Sequence, residues 1–286
     1  MKNKKKNLLY WVIAVAVVAC VLFGGLQLSD EKKVDIVFLG DSIIGNVSYE
    51  IQGIDVVQEK TGMKVFNGAF GGACMSYREW ENVELEPLLW CMAELSEAIC
   101  YEDFKAQKAG MAHGSYYGLI NHITPDYYAN RMDELSNIDF SKVKILVIQH
   151  GTNDYNTGTP LDNENDPYDK TTFGGALRSS LKLFQEKYPS LRIIIMTPTY
   201  CELGEGRTAK CYNTNYGGGT LDQFVEKEKE IANQFGVEVL DAYHNSGIWE
   251  DNADIYLDDG IHPSQEGQIL LGEFISEYLL QEPYYK

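Results

Sequence analysis

Ser42, Asp259 and His262 are the residues of this chain whose types and spacing suit nucleophilic catalysis. A serine hydroxyl is a weak nucleophile until a base takes its proton, and the base needs a third group to fix its tautomer. Ser42 closes an apolar run, Val34-Asp-Ile-Val-Phe-Leu-Gly-Asp-Ser42. His262 lies in Leu257-Asp-Asp-Gly-Ile-His-Pro263, with Asp259 three residues before it and Pro263 stiffening the turn after it. Asp259 would accept the Nδ1 proton, leaving Nε2 to deprotonate Ser42. Asp258 is the adjacent carboxylate, and spacing prefers Asp259. Of the other histidines, His113, His122, His150 and His244, none combines a carboxylate three positions before it with a proline after it.

Four short blocks appear in order: Gly40-Asp41-Ser42, Asn67-Gly-Ala-Phe-Gly-Gly72, Gly151-Thr-Asn-Asp154 and Asp259-Gly-Ile-His262. Together they resemble the SGNH hydrolases, also called the GDSL esterase/lipase family. The resemblance runs from residue 34 to about residue 280. It implies an oxyanion hole made by the Ser42 backbone N–H, the Gly72 backbone N–H and the Asn153 side chain, with Gly71 the neighbouring alternative. Ile44 stands where the second glycine of a Gly-x-Ser-x-Gly elbow would be, which argues against the α/β-hydrolase fold.

Elements that could position these blocks are legible along the chain. Val34–Leu39, Lys64–Phe66, Lys144–Gln149, Leu191–Met196 and Val237–Leu240 read as strands, several of them continuous apolar runs suited to burial on both faces. Tyr49–Lys60, Leu177–Tyr188, Leu221–Phe235 and Gln265–Leu280 read as helices. Strands alternating with helices imply a parallel sheet covered on both sides, with ligands beyond the carboxyl ends of the strands. Ser42, the glycine block and Asn153 each follow a predicted strand. The expectation is a three-layer α/β/α, flavodoxin-like SGNH hydrolase fold over residues 34–286, with a helical insertion at 74–141 between the second and third strands. Helical spacing appears there around Leu85–Lys105 and Tyr127–Leu135. The insertion holds Tyr116, Tyr117, Tyr127 and Tyr128, which suit sugar stacking as well as ordinary packing, and packing is the commoner use.

Composition narrows the partners. The formal charge is −18, and four lysines fall in the first seven residues. Beyond them 20 basic residues face 42 acidic ones, a balance of −22. Such a body repels nucleic acid and anionic membrane surfaces, and fits neutral or cationic substrates. Leu8–Leu28 carries no charged side chain and is close to the ~20 residues that cross a bilayer. The lysines at 1–7 predict a cytoplasmic N-terminus, a signal anchor at 8–28, a linker at 29–33 and a single-pass protein of the cell membrane with its catalytic body outside. A cleaved signal peptide is second, because its core is usually only ~7–15 residues. A lipoprotein signal at Val17-Val-Ala-Cys20 is third, because Val21-Leu-Phe23 follows it.

Six cysteines leave an odd five outside the span, with no Cys-x-x-Cys pair. Cys201 and Cys211 bracket a Gly-containing loop and could pair in an oxidising compartment; free buried thiols are the alternative. Asp162-Asn-Glu-Asn-Asp166 resembles a calcium loop, but Pro167 replaces the required glycine, so it reads as a solvated acidic loop. The expected function is a serine esterase acting on carboxylic esters, O-acetyl groups on carbohydrate foremost, without metal or cofactor. A lipid or lysophospholipid esterase, an acyltransferase on the same triad, and a non-catalytic glycan-binding SGNH domain are the rivals.

Overall fold

A computed structural model describes residues 33–45, 49–78, 90–112 and 125–281. The expected basic terminus and anchor at 1–28, together with His113, Tyr116, Tyr117 and His122, lie outside them. Among the described residues no helix is long and apolar enough to cross a membrane.

Five parallel strands form one sheet: β1 Ile36–Gly40, β2 Val65–Asn67, β3 Ile145–Gln149, β4 Arg192–Met196 and β5 Glu238–Leu240. Their order is β2-β1-β3-β4-β5, the flavodoxin-like arrangement. β1 pairs with β3 in register from Ile36↔Ile145 to Gly40↔Gln149, and every residue of both strands is buried. Their Ile, Val and Leu side chains fill both faces, which is why neither strand alternates apolar with polar. The chain moves to one side of β1 to make β2 and then crosses to make β3. The carboxyl ends of β1 and β3 therefore flank the switch point at which such sheets bind ligands.

The helices are α1 Ser42–Gly45, α2 Gly53–Thr61, α3 Met92–Tyr101, α4 Lys105–Ala112, α5 Pro125–Ser136, α6 Thr152–Asn156, α7 Phe173–Lys187, α8 Leu221–Phe235, α9 Ala242–Asn245, α10 Ala253–Tyr256 and α11 Gln265–Leu280. α2 packs against α11, whereas α3, α7 and α8 pack in series, so helices cover both faces of the sheet. The first contact requires glycine: a Cβ on Gly272 would lie 2.5 Å from the Gly53 carbonyl oxygen. Gln268 of α11 uses the closeness, accepting from Gly53 N–H at 2.9 Å and donating to the Ile43 carbonyl at 3.4 Å.

The described residues between β2 and β3 hold the three helices α3, α4 and α5, preceded by a non-helical stretch at 68–78. Of the stretch around 85–105, the described part from 90 onward is divided between two helices, because Glu102 takes a left-handed conformation (φ 57°) and closes α3. The Asp103 carboxylate then accepts the Lys105 N–H and opens α4. A short antiparallel hairpin, Glu202–Leu203 with Ala209–Lys210, follows β4.

Candidate active site

Ser42 begins α1, with Asp41 alone between it and the end of β1. The turn is fastened to the core on both sides: Asp41 N–H donates to the Gln149 carbonyl at 3.2 Å, and the Asp41 carboxylate accepts the Ile43 N–H at 2.9 Å. Asp41 is fully buried. Burial pushes its carboxyl up to about 7, against the opposing pull of the Ile43 N–H and of His262.

The loop from Leu257 to Pro263 presents His262. Leu257 and Pro263 bridge in antiparallel fashion, and Asp258 N–H donates to the His262 carbonyl at 3.0 Å. Inside the loop Asp259 Oδ1 accepts the N–H groups of Ile261 (3.0 Å) and His262 (2.8 Å). Its Oδ2 lies 2.7 Å from His262 Nδ1. His262 Nε2 in turn stands 2.8 Å from Ser42 Oγ, across 220 positions of chain. Serine, histidine and aspartate are thus joined in one hydrogen-bonded line.

The electrostatics follow from that line. Burial raises the Asp259 carboxyl, but hydrogen bonds from the His262 ring and backbone outweigh it and hold the group well below the usual carboxylate range. Burial lowers the His262 imidazole, and the Asp259 hydrogen bond and charge, with Asp41 and Asp258 behind them, more than reverse this, so its pKa is raised. Nδ1 facing a carboxylate fixes the proton there and leaves Nε2 as the acceptor facing Ser42.

The glycine block runs beside the end of β1, with Phe70 N–H donating to the Gly40 carbonyl at 2.9 Å. Gly71 and Gly72 are distinguished here. The Gly71 N–H donates to Tyr128 Oη at 3.0 Å, whereas none of the described hydrogen bonds engages the Gly72 N–H. Gly72 also has φ 73°, a conformation that glycine adopts without strain. Tyr128 belongs to α5 and is buried, so it packs and holds the glycine block; it offers no face to a sugar. Arg131, one turn on, donates to the Gly45 carbonyl at 3.5 Å and to the Ala69 carbonyl. Asn153, after β3, donates from Nδ2 to the Ala73 carbonyl at 3.1 Å. An amide nitrogen carries two hydrogens, so one remains for a ligand. Asp154 ties the blocks together, accepting from Met75 N–H at 2.7 Å and from the Ser76 N–H at 3.0 Å.

The remaining candidates sit elsewhere. His150 is buried with Nδ1 3.4 Å from the Ala73 carbonyl oxygen, and burial lowers its pKa to about 4. His244 is an exposed partner of Asp241 at 2.9 Å. Asp258 is exposed and makes no bond to the His262 ring. Cys201 and Cys211 are free, buried thiols, with the Cys201 N–H donating to Cys211 Sγ at 3.5 Å. Asp162 corrects the expectation of a solvated acidic loop: Arg178 grips both its oxygens at 2.7 and 2.9 Å, and Lys227 lies 3.2 Å away. It is a structural anchor, while Glu164 and Asp166 are exposed as expected.

Sequence reading missed two supports. One is α5, whose Tyr128 and Arg131 reach the glycine block only through tertiary packing. The other is the hairpin at 202–210, which carried a signal: Glu202 and Lys210 are opposite charges flanking a Gly-containing turn, as a cross-strand ion pair would be.

Residues 115–269 match a family model described as GDSL-like lipase/acylhydrolase. Among solved structures, a Lactobacillus plantarum protein shares the fold with a TM-score of 0.60 at 19% identity, over 86% of this chain and 96% of its own. A possible lipase from Chitinophaga pinensis gives a TM-score of 0.52 at 16% identity, over 86% and 97%. A comparison with curated proteins finds no match. The matched segment holds Asn153, Asp259 and His262. Ser42 and Gly72 precede it and adjoin it through the geometry above.

Proposed function

This chain belongs to the GDSL-like lipase/acylhydrolase family, and from that premise we propose that it is a serine esterase in which Ser42, His262 and Asp259 act as a catalytic triad. The observation that carries the reading is the continuous line Ser42 Oγ–His262 Nε2 (2.8 Å) and His262 Nδ1–Asp259 Oδ2 (2.7 Å). Ser42 Oγ attacks the ester carbonyl as His262 Nε2 takes its proton. The oxyanion is held by the N–H groups of Ser42 and Gly72 and by the second amide hydrogen of Asn153. Donors fixed before the reaction are the effective ones, each worth ~2.7–4 kcal/mol. His262 returns the proton to the departing alcohol, leaving an acyl group on Ser42. Water, deprotonated by the same Nε2, then releases the acid.

The substrate proposed is an O-acetyl ester on neutral or cationic carbohydrate. The supporting observation is charge: a body of −22 beyond its first seven residues disfavours anionic lipids and polyanions. The catalytic body is proposed to lie outside the cell on a single-pass anchor at 8–28, supported by that uncharged stretch behind its lysine cluster.

One experiment addresses chemistry and place together. Intact cells expressing the chain are treated with a membrane-impermeant fluorophosphonate, with Ser42→Ala alongside. The expected result is labelling of the intact-cell membrane fraction, absent in the variant. Labelling only after lysis would refute the location, and equal labelling of Ser42→Ala would refute the nucleophile.

A further inference from the structure

The hairpin after β4 is fitted to the back of the acid–base loop. Its tip runs through Gly204 (φ 79°), Gly206 (φ 67°) and Arg207. Arg207 itself has φ 54°, a left-handed conformation that a side-chain-bearing residue seldom adopts. An observed outlier of this kind is a pointer to function when the surroundings hold it in place. Here they do. Arg207 Nη2 donates to the Asp258 carbonyl and, at 3.4 Å, to the Leu257 carbonyl. Its Nη1 lies 3.0 Å from Asp254 Oδ1 and 3.8 Å from Glu202 Oε1. The two carbonyls it gathers immediately precede Asp259.

The strands of the hairpin make a second contact. Glu202 N–H donates to the Gly260 carbonyl at 2.8 Å. Gly260 has φ 87°, and a Cβ there would stand 2.3 Å from the Glu202 carbonyl oxygen and 3.3 Å from Arg207 Cδ. The Glu202 carboxylate is buried and bonded to Lys210 and to Tyr200 Oη, the latter at 3.0 Å. The hairpin is therefore locked before it meets the loop.

We propose that Arg207 is a positioning residue that sets the acid–base loop at the height where His262 Nε2 meets Ser42 Oγ. This rests on the reading of Ser42, His262 and Asp259 as the catalytic set. Two restraint systems act on the loop and do different work. The Asp259–His262 contact is local: the turn in which Asp259 caps the N–H groups of Ile261 and His262 maintains it without outside help. The Ser42–His262 contact is between elements, so it depends on where the whole loop sits. Arg207 and Glu202 hold the loop from the hairpin side by its backbone, at Leu257, Asp258 and Gly260. A guanidinium suits the task because its planar fork serves two carbonyls and a carboxylate at once.

The test compares wild type with Arg207→Ala, Arg207→Lys and Ser42→Ala. Steady-state hydrolysis of a small acetyl ester is measured beside the ¹⁵N resonances of the His262 ring. Arg207→Ala is expected to lower kcat by about 10–100-fold with KM little changed, as sub-ångström to ångström misplacement of a base does. Added guanidinium ion, and Arg207→Lys in part, should restore it. The Nε2 resonance should move toward its position in Ser42→Ala while Nδ1 stays. Unchanged kcat and Nε2 in Arg207→Ala would overturn the proposal. So would a loss that tracks thermal stability, is not recovered by guanidinium and shifts both ring nitrogens. Should wild type hydrolyse no ester, the catalytic reading fails, and the Nε2 comparison still decides whether Arg207 positions the ring.

Discussion

Asp41 and Asp259 both act on the charge of one histidine, from opposite surroundings. Asp41 is sealed in the core behind Ser42, where burial raises its carboxyl to about 7. Asp259 is half exposed, where three hydrogen bonds from its own loop keep it ionised well below the usual range. The same contrast divides the site. The Ser42 half is an extension of a buried strand, positioned by sheet register and apolar packing. The half that holds Asp259 and His262 is an exposed loop positioned by backbone hydrogen bonds and a charged hairpin. Apolar burial is insensitive to salt, whereas interactions between exposed charges are weakened by it, with a screening length of about 10 Å at 0.1 M salt. The alignment of His262 with Ser42 is thus set by the softer of the two halves.

The largest effect that would break this contrast is at Asp259. Asp259→Asn keeps the shape but removes the charge that fixes the tautomer. A fall in kcat of about 10²–10⁴-fold is expected. The pH profile carries a sign as well. In the proposed mechanism His262 acts when neutral, and the Asp259 hydrogen bond and charge raise its pKa. Activity in wild type should therefore fall away below a pH above the ordinary imidazole value of about 6.5. In Asp259→Asn the acidic limb should move to lower pH. A limb that stays in place would mean that Asp259 does not govern the His262 titration.

A smaller effect, on stability, sharpens the other side. The folded-state carboxyl of Asp41 is raised from 3.8 to about 7. Between those values the unfolded chain gives up its proton while the folded chain keeps it, so wild type loses stability as pH rises through this window. Asp41→Asn retains an oxygen for the Ile43 N–H and abolishes that loss. Its unfolding free energy from denaturant titration should match that of wild type near pH 4 and exceed it above pH 7, by about 1–4 kcal/mol. A gap that does not change with pH would contradict the buried, raised carboxyl.

How far the sequence speaks for itself differs between the same two halves. The buried strands were legible because their apolar runs leave little choice of environment: β3 falls within a residue of expectation and β1 within two. Helices α8 and α11 have the expected limits because their ends are chemically marked. Thr220 and Gln223 form a capping box and Gly236 closes α8, while Ser264 caps α11. Less was legible where tertiary contact overrides local pattern. The helix expected from Tyr49 starts at Gly53, where Gln52 and Asp55 make the cap. Nothing local announces that Tyr128 bonds to Gly71, or that Arg207 reaches past 50 residues to the Asp258 carbonyl. The residues of the line from Ser42 to Asp259 could be read from their blocks; the supports that aim it could not, because they are matters of distance between elements.

The catalytic reading of that line is tested most directly by trapping the intermediate. The purified chain is mixed briefly with an activated acetyl ester, quenched in acid and mapped by peptide mass. The account predicts one acetyl group on the peptide containing Ser42, lost on longer incubation and absent in Ser42→Ala. Acetylation of a different residue during turnover, with Ser42 unmodified, would contradict it.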